Sequence, residues 1–488
     1  MRRPKGWSCF FLLWLAGCAE PPAPVFQATG IKIAEVDQDS ALVWTRITAA
    51  EHRVGPEGGE PVFQYRDDKT GETTTSPKGR RAEALGPFPD QAAVDKFEGA
   101  APGAPGQTRA RYRLAGEPDW TYKGWQTVDC AQDCTTVFPL EDLRPGSRYE
   151  LEVDARPGPD ADTTSTIVGG FKTAPAADDP ARVVFTVTTG TAYPDQDAPG
   201  GGYKMYAQML KLDPSFFVHT GDIIYYDQLA KNEALARWHW QRMYSLPTNV
   251  AFHRQVACYM IKDDHDVWMN DCWPTLQSRF MGDFTFAQGQ KIFLEQTGIQ
   301  GPTFRTIRWG KDLQVWFPEG RDFRSPNTME DGPEKSIWGA EQKAWLKKSM
   351  AESDATFRVL ISATPIVGPD RGNKNDNHAN KGFQHEGDEI RSFLAGLKNA
   401  YVACGDRHWQ YVSQDAETGL REYSSGPASD EHAGGFSQDQ RTEEHAYLNV
   451  IGGFLAGTVE RVEGKPQLTW THYGVDGSAL HQEVRPAE

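Results

Sequence analysis

The chain has 488 residues, enough for two or three domains with well-buried cores. Its 51 basic and 67 acidic residues give a net charge of −16, which argues against a protein that binds DNA or RNA through the phosphate backbone. Hydrophobic residues make up 39% of the chain and 15 residues are Trp, so the composition lies outside the disordered class. No apolar run approaches the roughly 20 residues that a membrane span needs. We therefore expect a soluble globular protein without a nucleic acid as its target.

Residues 1–18 have the pattern of an export signal. Basic residues precede a short apolar run over residues 7–16, and the run closes with Leu15-Ala16-Gly17-Cys18, which resembles the bacterial lipobox. We expect lipidation at Cys18; the alternative is an ordinary signal peptide that is cleaved near the same place. Residues 19–28 form a Pro-rich tether. The pattern predicts an exported protein, lipid-anchored in the periplasm or at the outer membrane of a bacterium, with no other membrane contact.

Residues 29–177 show strand patterns and no long helical period. Residues 143–149 resemble the turn and tyrosine corner of fibronectin-like sandwiches, so this part is predicted to be an all-β fibronectin-like or immunoglobulin-like sandwich. Within it, residues 55–107 are rich in Gly, Pro and charge, which indicates loop insertions. Cys130 and Cys134 lie between two strand-like stretches, and we expect a disulfide between them.

Residues 178–488 have a different pattern, in which apolar strand candidates alternate with helical stretches, and an α/β domain is predicted. The strands are predicted over residues 182–187, 216–219, 256–261, 313–317, 357–362 and 399–404. The helices are predicted over residues 203–212, 229–244, 284–296, 339–352 and 387–398. The tail, residues 447–484, returns to strand and turn patterns that would complete a sheet.

Polar clusters follow four of these predicted strands, at the ends where α/β sheets place their ligands. The clusters are Gly221-Asp222 with residues 225–227, residues 262–266 with Asn270 and Asp271, the loop over residues 368–378 that includes Asp376, and Gly405-Asp406-Arg407-His408. Several carboxylates and histidines at one sheet edge would repel each other unless a cation compensates them. The sequence therefore predicts a centre of two or more metal ions. Oxygen and histidine ligands suit Ca, Mn, Fe or Zn, and two ions could hold a bridging hydroxide as nucleophile.

The order of these clusters resembles the PhoD-type alkaline phosphatases, a branch of the calcineurin-like metallophosphoesterase superfamily. The matching motifs are Gly221-Asp-Ile-Ile-Tyr225, Asp263-Asp-His-Asp266 and Gly405-Asp-Arg-His408. That family also has an N-terminal fibronectin-like domain with a strand similar to Leu42-Val-Trp-Thr-Arg46, so the resemblance covers residues 26–488. It implies an α/β catalytic domain, a four-layer sandwich of two mixed sheets flanked by helices, preceded by the all-β sandwich.

The resemblance also implies roles for individual residues. Asp222 is implied as a catalytic residue and the bridging metal ligand, Tyr225 as a phenolate ligand, and Asp264 as a ligand of the second metal. His265 is implied as the catalytic residue that stabilises and protonates the departing oxygen. The further implied ligands are Asn270, Asp376, Asp406 and His408.

Two arginines are candidates for holding the substrate phosphate. Arg321 and Arg371 could each bind it in a bidentate manner, with structural or surface pairing as the alternative for each. The chain departs from the family at its first strand, where the family has Ser-Cys-Gln with the Cys as an iron ligand and this chain has Thr188-Thr-Gly-Thr191. Either Asp195, Asp197 or a neighbouring hydroxyl takes the place of the Cys, or the first metal position is altered, and the metal identity stays open.

We therefore expect an exported, monomeric phosphatase or phosphodiesterase that hydrolyses small phosphate esters by a metal-activated hydroxide. The alternative is a non-catalytic surface-binding lipoprotein, in which the missing Cys marks a degenerate metallophosphoesterase centre.

Overall fold

The computed structural model describes residues 22–76 and 81–488. The predicted export signal, with Cys18, lies outside the described residues. Within the described ranges, no helix has both the length and the apolar character to cross a membrane.

The strands of the described chain are short and are distributed over four sheets. They are β1 (Ile31–Ala34), β2 (Ala41–Arg46), β3 (Gln64–Asp67), β4 (Thr73–Thr74), β5 (Ala82–Leu85), β6 (Gln107–Leu114), β7 (Thr121–Thr127), β8 (Thr135–Leu140), β9 (Arg148–Arg156), β10 (Ser165–Lys172), β11 (Val183–Thr188), β12 (Phe216–His219), β13 (Ala257–Met260), β14 (Arg305–Trp309), β15 (Leu313–Phe317), β16 (Phe357–Ser362), β17 (Ala400–Cys404), β18 (Gln410–Gln414), β19 (Arg421–Ser425), β20 (His445–Asn449), β21 (Phe454–Val462), β22 (Lys465–Tyr473) and β23 (Ala479–Pro486).

The helices occur almost entirely in the second part of the chain. They are α1 (Gln91–Val94), α2 (Lys204–Lys211), α3 (Glu233–Tyr244), α4 (Pro247–His253), α5 (Asp264–Val267), α6 (Phe286–Thr297), α7 (Gly339–Glu352) and α8 (Gln384–Ala395). Local sequence fixes several of their ends. For example, α6 begins with a capping box between Thr285 and Gln288 and ends at Gly298, whose φ of 74° closes the helix in the left-handed region.

The largest sheet has the strand order β23-β22-β21-β11-β12-β13-β1-β2-β8. Strands β11, β12 and β13 are parallel neighbours in its centre, and all of their residues are buried. Parallel strands covered on both faces are apolar throughout, which is why the sequence pattern predicts them.

A second sheet, with the order β14-β15-β16-β17-β19-β18-β20, packs face to face on the first. Strands β15, β16, β17 and β19 are parallel in it. The core between the sheets contains Val218 and Leu455 from the first and Val315 and Val359 from the second. Helices α2, α3, α4 and α6 cover the outer face of the first sheet, and α7 and α8 cover that of the second. The predicted four-layer fold is confirmed.

The N-terminal part is strand-rich, as predicted, but it shares a sheet with the rest of the chain. Strands β6, β7, β9 and β10 form an antiparallel sheet that packs on β1, β2 and β8, and Tyr149 Oη accepts a hydrogen bond of 2.7 Å from the backbone N–H of Arg144, as in a tyrosine corner. Strand β1 also pairs in parallel with β13, so this half of the sandwich continues the central sheet. The division of the chain into two domains, residues 29–177 and 178–488, therefore stays a prediction.

A buried polar network joins the N-terminal part to the helices. The structure has a disulfide between Cys130 and Cys134. Asp133, inside that loop, accepts hydrogen bonds from Arg46 Nη2 at 2.7 Å, from Gln241 at 3.0 Å and from Gln296 at 2.8 Å. A buried ion pair with these additional partners fixes the loop against α3 and α6.

Candidate metal centre

Loops from both sheets meet at the edge where the parallel strands end. Thr189, after β11, forms a β-bridge with Pro427, which follows β19 of the other sheet. The Thr189 hydroxyl donates to the carbonyl of Gly221 at 3.1 Å and accepts from the backbone N–H of Asp406 at 3.2 Å. The polar clusters predicted after β12 and β17 are thus tied together through one threonine.

The backbone around Asp222 is held in an unusual conformation. Gly221 has a φ of 104°, and a Cβ atom there would lie 2.5 Å from the Cβ atom of Asp263, so the close approach requires glycine. Asp222 itself has a φ of 54°. The carboxylate of Asp266 accepts from the two backbone N–H groups after Asp222, at 2.7 and 3.1 Å, and from the N–H of Asp263 at 2.9 Å. Asp266 therefore positions the two loops that carry the acidic side chains.

Asp222 is shared by two groups of side chains with the spacing of metal ligands. One group contains Asp222, Asp264 and His265, and the other contains Asp222, Asp263 and Asp406. In each group, one possible ligand atom per residue lies within 4.8 Å of the others. The Asp222 carboxylate is buried and central to both groups.

Tyr225 links Asp222 to two histidines. Its hydroxyl lies 3.3 Å from Asp222 Oδ2, 3.4 Å from His408 Nε2 and 2.7 Å from His432 Nε2. Asp195 Oδ2 in turn lies 2.8 Å from His432 Nδ1. Burial lowers the pKa of both His408 and His432, so both rings are neutral and can offer a lone pair.

His265 is paired with a carboxylate on its other side. Its Nδ1 lies 3.1 Å from Asp227 Oδ2, and the backbone N–H of Asn270 donates to Asp227 Oδ1 at 3.0 Å. Burial alone would lower the pKa of His265, but the carboxylates of Asp227, Asp264 and Asp222 raise it well above its usual value. The ring also packs on Tyr225, with centroids 4.4 Å apart. A protonated His265 beside the acidic groups is able to donate a proton.

Comparison with known proteins identifies the family of the chain. The profile of the PhoD-like phosphatase family matches residues 185–451, which is more than half of the chain. The chain belongs to the PhoD-like phosphatase family. It is therefore a hydrolase of phosphoric ester bonds, and the predicted resemblance is confirmed.

Solved structures agree on the fold of this PhoD-like phosphatase. The structure of PhoD matches with a TM-score of 0.70 and 15% identity, covering 96% of this chain and 92% of that chain. A purple acid phosphatase from yellow lupin (Lupinus luteus) seeds matches with a TM-score of 0.57 and 12% identity, covering 95% of this chain and 74% of that chain. No curated protein sequence matches the chain.

The residues at the sheet edge of this PhoD-like phosphatase fit metal ions. Among the residues that the structure describes, Asp222 Oδ1 and Asp263 Oδ2 are buried without a hydrogen-bond partner. Burial raises the pKa of Asp222 well above its usual value and that of Asp263 to about 6, although His265 and Arg321, respectively, oppose the shift. Buried carboxylates with unused oxygen atoms are costly without a compensating cation. The donor set is rich in hard oxygen atoms with added imidazole nitrogen, which suits divalent and trivalent metals.

The candidate phosphate ligand Arg321 is fully buried against the acidic cluster. Its Nε donates to Asp263 Oδ1 at 2.5 Å, and its Nη2 lies 3.9 Å from Asp264 Oδ2. Burial opposes ionisation of Asp264, but Arg321 and His265 lower its pKa overall. This geometry favours the structural-pairing alternative for Arg321, which holds two carboxylates in place.

Arg371 is more accessible. Its Nε lies 3.7 Å from Asp370 Oδ1, its guanidinium lies 5.6 Å from the centre of the Trp409 ring, and 30% of its side chain is exposed. It lines a cavity of about 410 Å³ together with Lys374. The guanidinium of Arg371 is therefore partly open to solvent, whereas that of Arg321 is not.

Two further candidate ligands are Asp376 and Asn270. Among the described residues, Asp376 belongs to neither carboxylate and histidine group. Its Oδ2 lies 3.7 Å from Lys374 Nζ, and Lys374 and nearby arginines lower its pKa although burial opposes this shift. Asn270 contacts the site through its backbone N–H on Asp227.

Thr189 and Thr191 stand where the family has Ser-Cys-Gln. Their hydroxyls donate hydrogen bonds to backbone carbonyls. The Thr191 hydroxyl donates to the carbonyl of Ile223 at 2.7 Å, so it fixes the Asp222 loop. Asp197 accepts from the backbone N–H of Lys204 at 2.8 Å, at the start of α2. Of the two aspartates considered as replacements, Asp195 is the one that contacts the cluster, through His432.

Sequence reasoning missed His432 and gave no role to Asp227 or Asp266. His432 follows β19, whose polar sequence Arg-Glu-Tyr-Ser-Ser does not look like a buried strand. The Gly-rich turn after it, with Gly434 and Gly435, was an available signal of a strand-end loop.

Proposed function

We propose that the chain is an exported metal-dependent phosphatase or phosphodiesterase that acts on small phosphate esters. The observation that carries this proposal is the buried carboxylate of Asp222, shared by two ligand groups at the edge where both sheets end. The membership of the chain in a phosphatase family supports it.

The residues that would hold the metals are those around Asp222. Asp222, which both groups share, would hold the ions together with Tyr225, His408, Asp264 and Asp406. Asn270 and Asp376 stay as further candidate ligands. Bound ions would act as Lewis acids on a phosphoryl oxygen and would lower the pKa of a water molecule.

The other side chains of the site bind and protonate the ester. Arg371, which is partly exposed, would bind a phosphoryl oxygen, because its planar guanidinium offers two parallel donors. His265, whose Nδ1 lies 3.1 Å from the carboxylate of Asp227, would donate a proton to the departing oxygen of the alcohol. Asp266 and Arg321 hold the acidic loops in register and do not touch the ester.

This function is tested with the purified protein and a pair of aryl substrates, 4-nitrophenyl phosphate and bis(4-nitrophenyl) phosphate. We expect hydrolysis of at least one of them, loss of activity after dialysis against a chelator, and recovery when a divalent or trivalent metal is added back. If the purified chain binds no metal and hydrolyses neither ester when metals are added, the alternative is favoured, a binding lipoprotein with a degenerate centre.

We also propose that the protein is exported and anchored through a lipid on Cys18, since the lipobox-like segment ends there. Cells that express the full chain should yield a band labelled by radioactive palmitate, and Cys18→Ser should abolish the label. An unlabelled mature protein that begins at another residue would contradict the anchor without touching the catalytic proposal.

A further inference from the structure

A histidine outside the family motifs of the sequence lies beside Tyr225. His432 belongs to the loop after β19, and its Nε2 is 2.7 Å from Tyr225 Oη. Its ring centroid lies 4.1 Å from that of His408. His432 therefore stands at the side of the cluster where Tyr225 and His408 meet Asp222.

Asp195 sets the orientation of this ring. Its Oδ2 is 2.8 Å from His432 Nδ1, and a carboxylate there can only accept, so Nδ1 carries the proton. The lone pair of the ring then lies on Nε2, which faces the cluster and accepts a hydrogen bond from the Tyr225 hydroxyl. A carboxylate that binds one nitrogen of an imidazole while the other binds a metal is the usual support of histidine ligands in proteins.

Three of the four atoms lie within 3.8 Å of one another, and His432 Nε2 lies 2.7 Å from one of them, Tyr225 Oη. Around Tyr225 Oη, the distances to Asp222 Oδ2, His408 Nε2 and His432 Nε2 are 3.3, 3.4 and 2.7 Å, and His408 Nε2 lies 3.8 Å from Asp222 Oδ2. Ligand atoms at about 2.0–2.2 Å from a shared tetrahedral metal are roughly 3.3–3.6 Å apart. The 3.3 and 3.4 Å distances match this spacing, and the 2.7 Å hydrogen bond between Tyr225 and His432 would lengthen if both residues bound one ion.

The surrounding backbone keeps His432 in this place. The N–H of Gly434 donates to the carbonyl of His408 at 2.9 Å, and the side chain of Asp430 accepts from the N–H of Gly452 at 2.9 Å. Gly190, with a φ of 56°, passes so close that a Cβ atom there would lie 3.1 Å from His432 Cδ2. The loop after β11 thus makes room for the ring.

We infer that His432 is a metal ligand of this centre, in one coordination set with Asp222, Tyr225 and His408, and that Asp195 is the positioning residue that orients it. The inference rests on the proposed function, because it assumes that the site holds metal. The inference places an imidazole nitrogen at the first metal position. There the family has a Cys ligand after the first strand, and this chain has Thr188-Thr-Gly-Thr191.

Metal binding by the purified protein tests this assignment without any use of activity. The apoprotein is titrated with Zn²⁺ by calorimetry, and metal per chain is measured by elemental analysis after gel filtration. His432→Ala should lose one of the ions that the wild type binds, or bind it more than about 100-fold more weakly. Asp195→Asn should keep the ion but bind it about 10–100-fold more weakly, as expected for loss of a residue that orients a histidine ligand.

His385→Ala is the matched control, because His385 is exposed and lies outside the cluster, and its metal binding should equal that of the wild type. Thermal unfolding of each variant establishes that it is folded, and Asp195→Asn keeps the test decisive if His432→Ala does not fold. Wild-type affinity and metal content in both His432→Ala and Asp195→Asn would overturn the inference and leave the proposed function intact. A wild-type chain that binds no metal would overturn the proposed function, and the inference with it.

Discussion

Asp222→Asn is expected to lower kcat/KM for an aryl phosphate by roughly 10³-fold or more, because a carboxylate shared by two ions would be replaced by a neutral amide, and metal charge supplies several kcal/mol of transition-state stabilisation. The variant should still fold. Burial raises the pKa of Asp222, so a neutral group in its place is tolerated by the metal-free fold. The measurements are the reaction rate at several substrate concentrations, which gives kcat/KM, and the metal content per chain.

Asp197→Asn is the matched control for that variant. Asp197 is also buried, with 2% of its side chain exposed, and it lies on a nearby loop. Its Oδ1 accepts from the N–H of Lys204, a role that the amide oxygen of Asn keeps. We expect a nearly unchanged rate. If Asp222→Asn and Asp197→Asn were both within tenfold of the wild type, Asp222 would have no central role.

His265→Ala should slow the release of poor leaving groups much more than that of good ones. A positioned proton donor contributes about 10²–10⁴-fold, and that contribution is needed for an alkyl alcohol but hardly for nitrophenolate. The reason to expect this role is the pairing of His265 Nδ1 with Asp227 at 3.1 Å, since a carboxylate there raises the pKa of the ring. The measurement is log(kcat/KM) against leaving-group pKa for the wild type and the variant.

Asp227→Asn tests whether His265 is a proton donor or a metal ligand. It should weaken proton donation in the same direction as His265→Ala but by a smaller factor, since the ring remains. Both variants should keep their metal ions. Loss of metal in His265→Ala, or an equal loss of rate for good and poor leaving groups, would show that His265 is a ligand or a structural residue.

The clusters at the strand ends could be predicted because of a simple geometric rule. Runs such as Val183–Thr188 and Phe216–His219 are apolar throughout, and the carboxyl ends of parallel strands lie at one edge. Gly221 and Asp222 therefore could be placed at a site from the sequence alone. The resemblance to a family then gave them roles that periodicity could not give.

Other features depend on contacts between distant parts of the chain. The pairing of β1 with β13 joins residues more than 200 positions apart, and no local pattern encodes which strand will be the neighbour. The burial of Arg321 against Asp263 depends in the same way on the packing of two loops. His432 escaped prediction because β19 is polar in sequence, although four of its five residues are buried.

The position and number of metal ions per chain tests the shared-carboxylate centre most directly. Elemental analysis of the purified protein, combined with anomalous diffraction from its crystals, measures both. We expect two or more ions per chain, with the carboxylate of Asp222 between two of them and Tyr225 and His408 beside one. Fewer than one tightly bound ion per chain, or ions placed away from Asp222, would contradict this account.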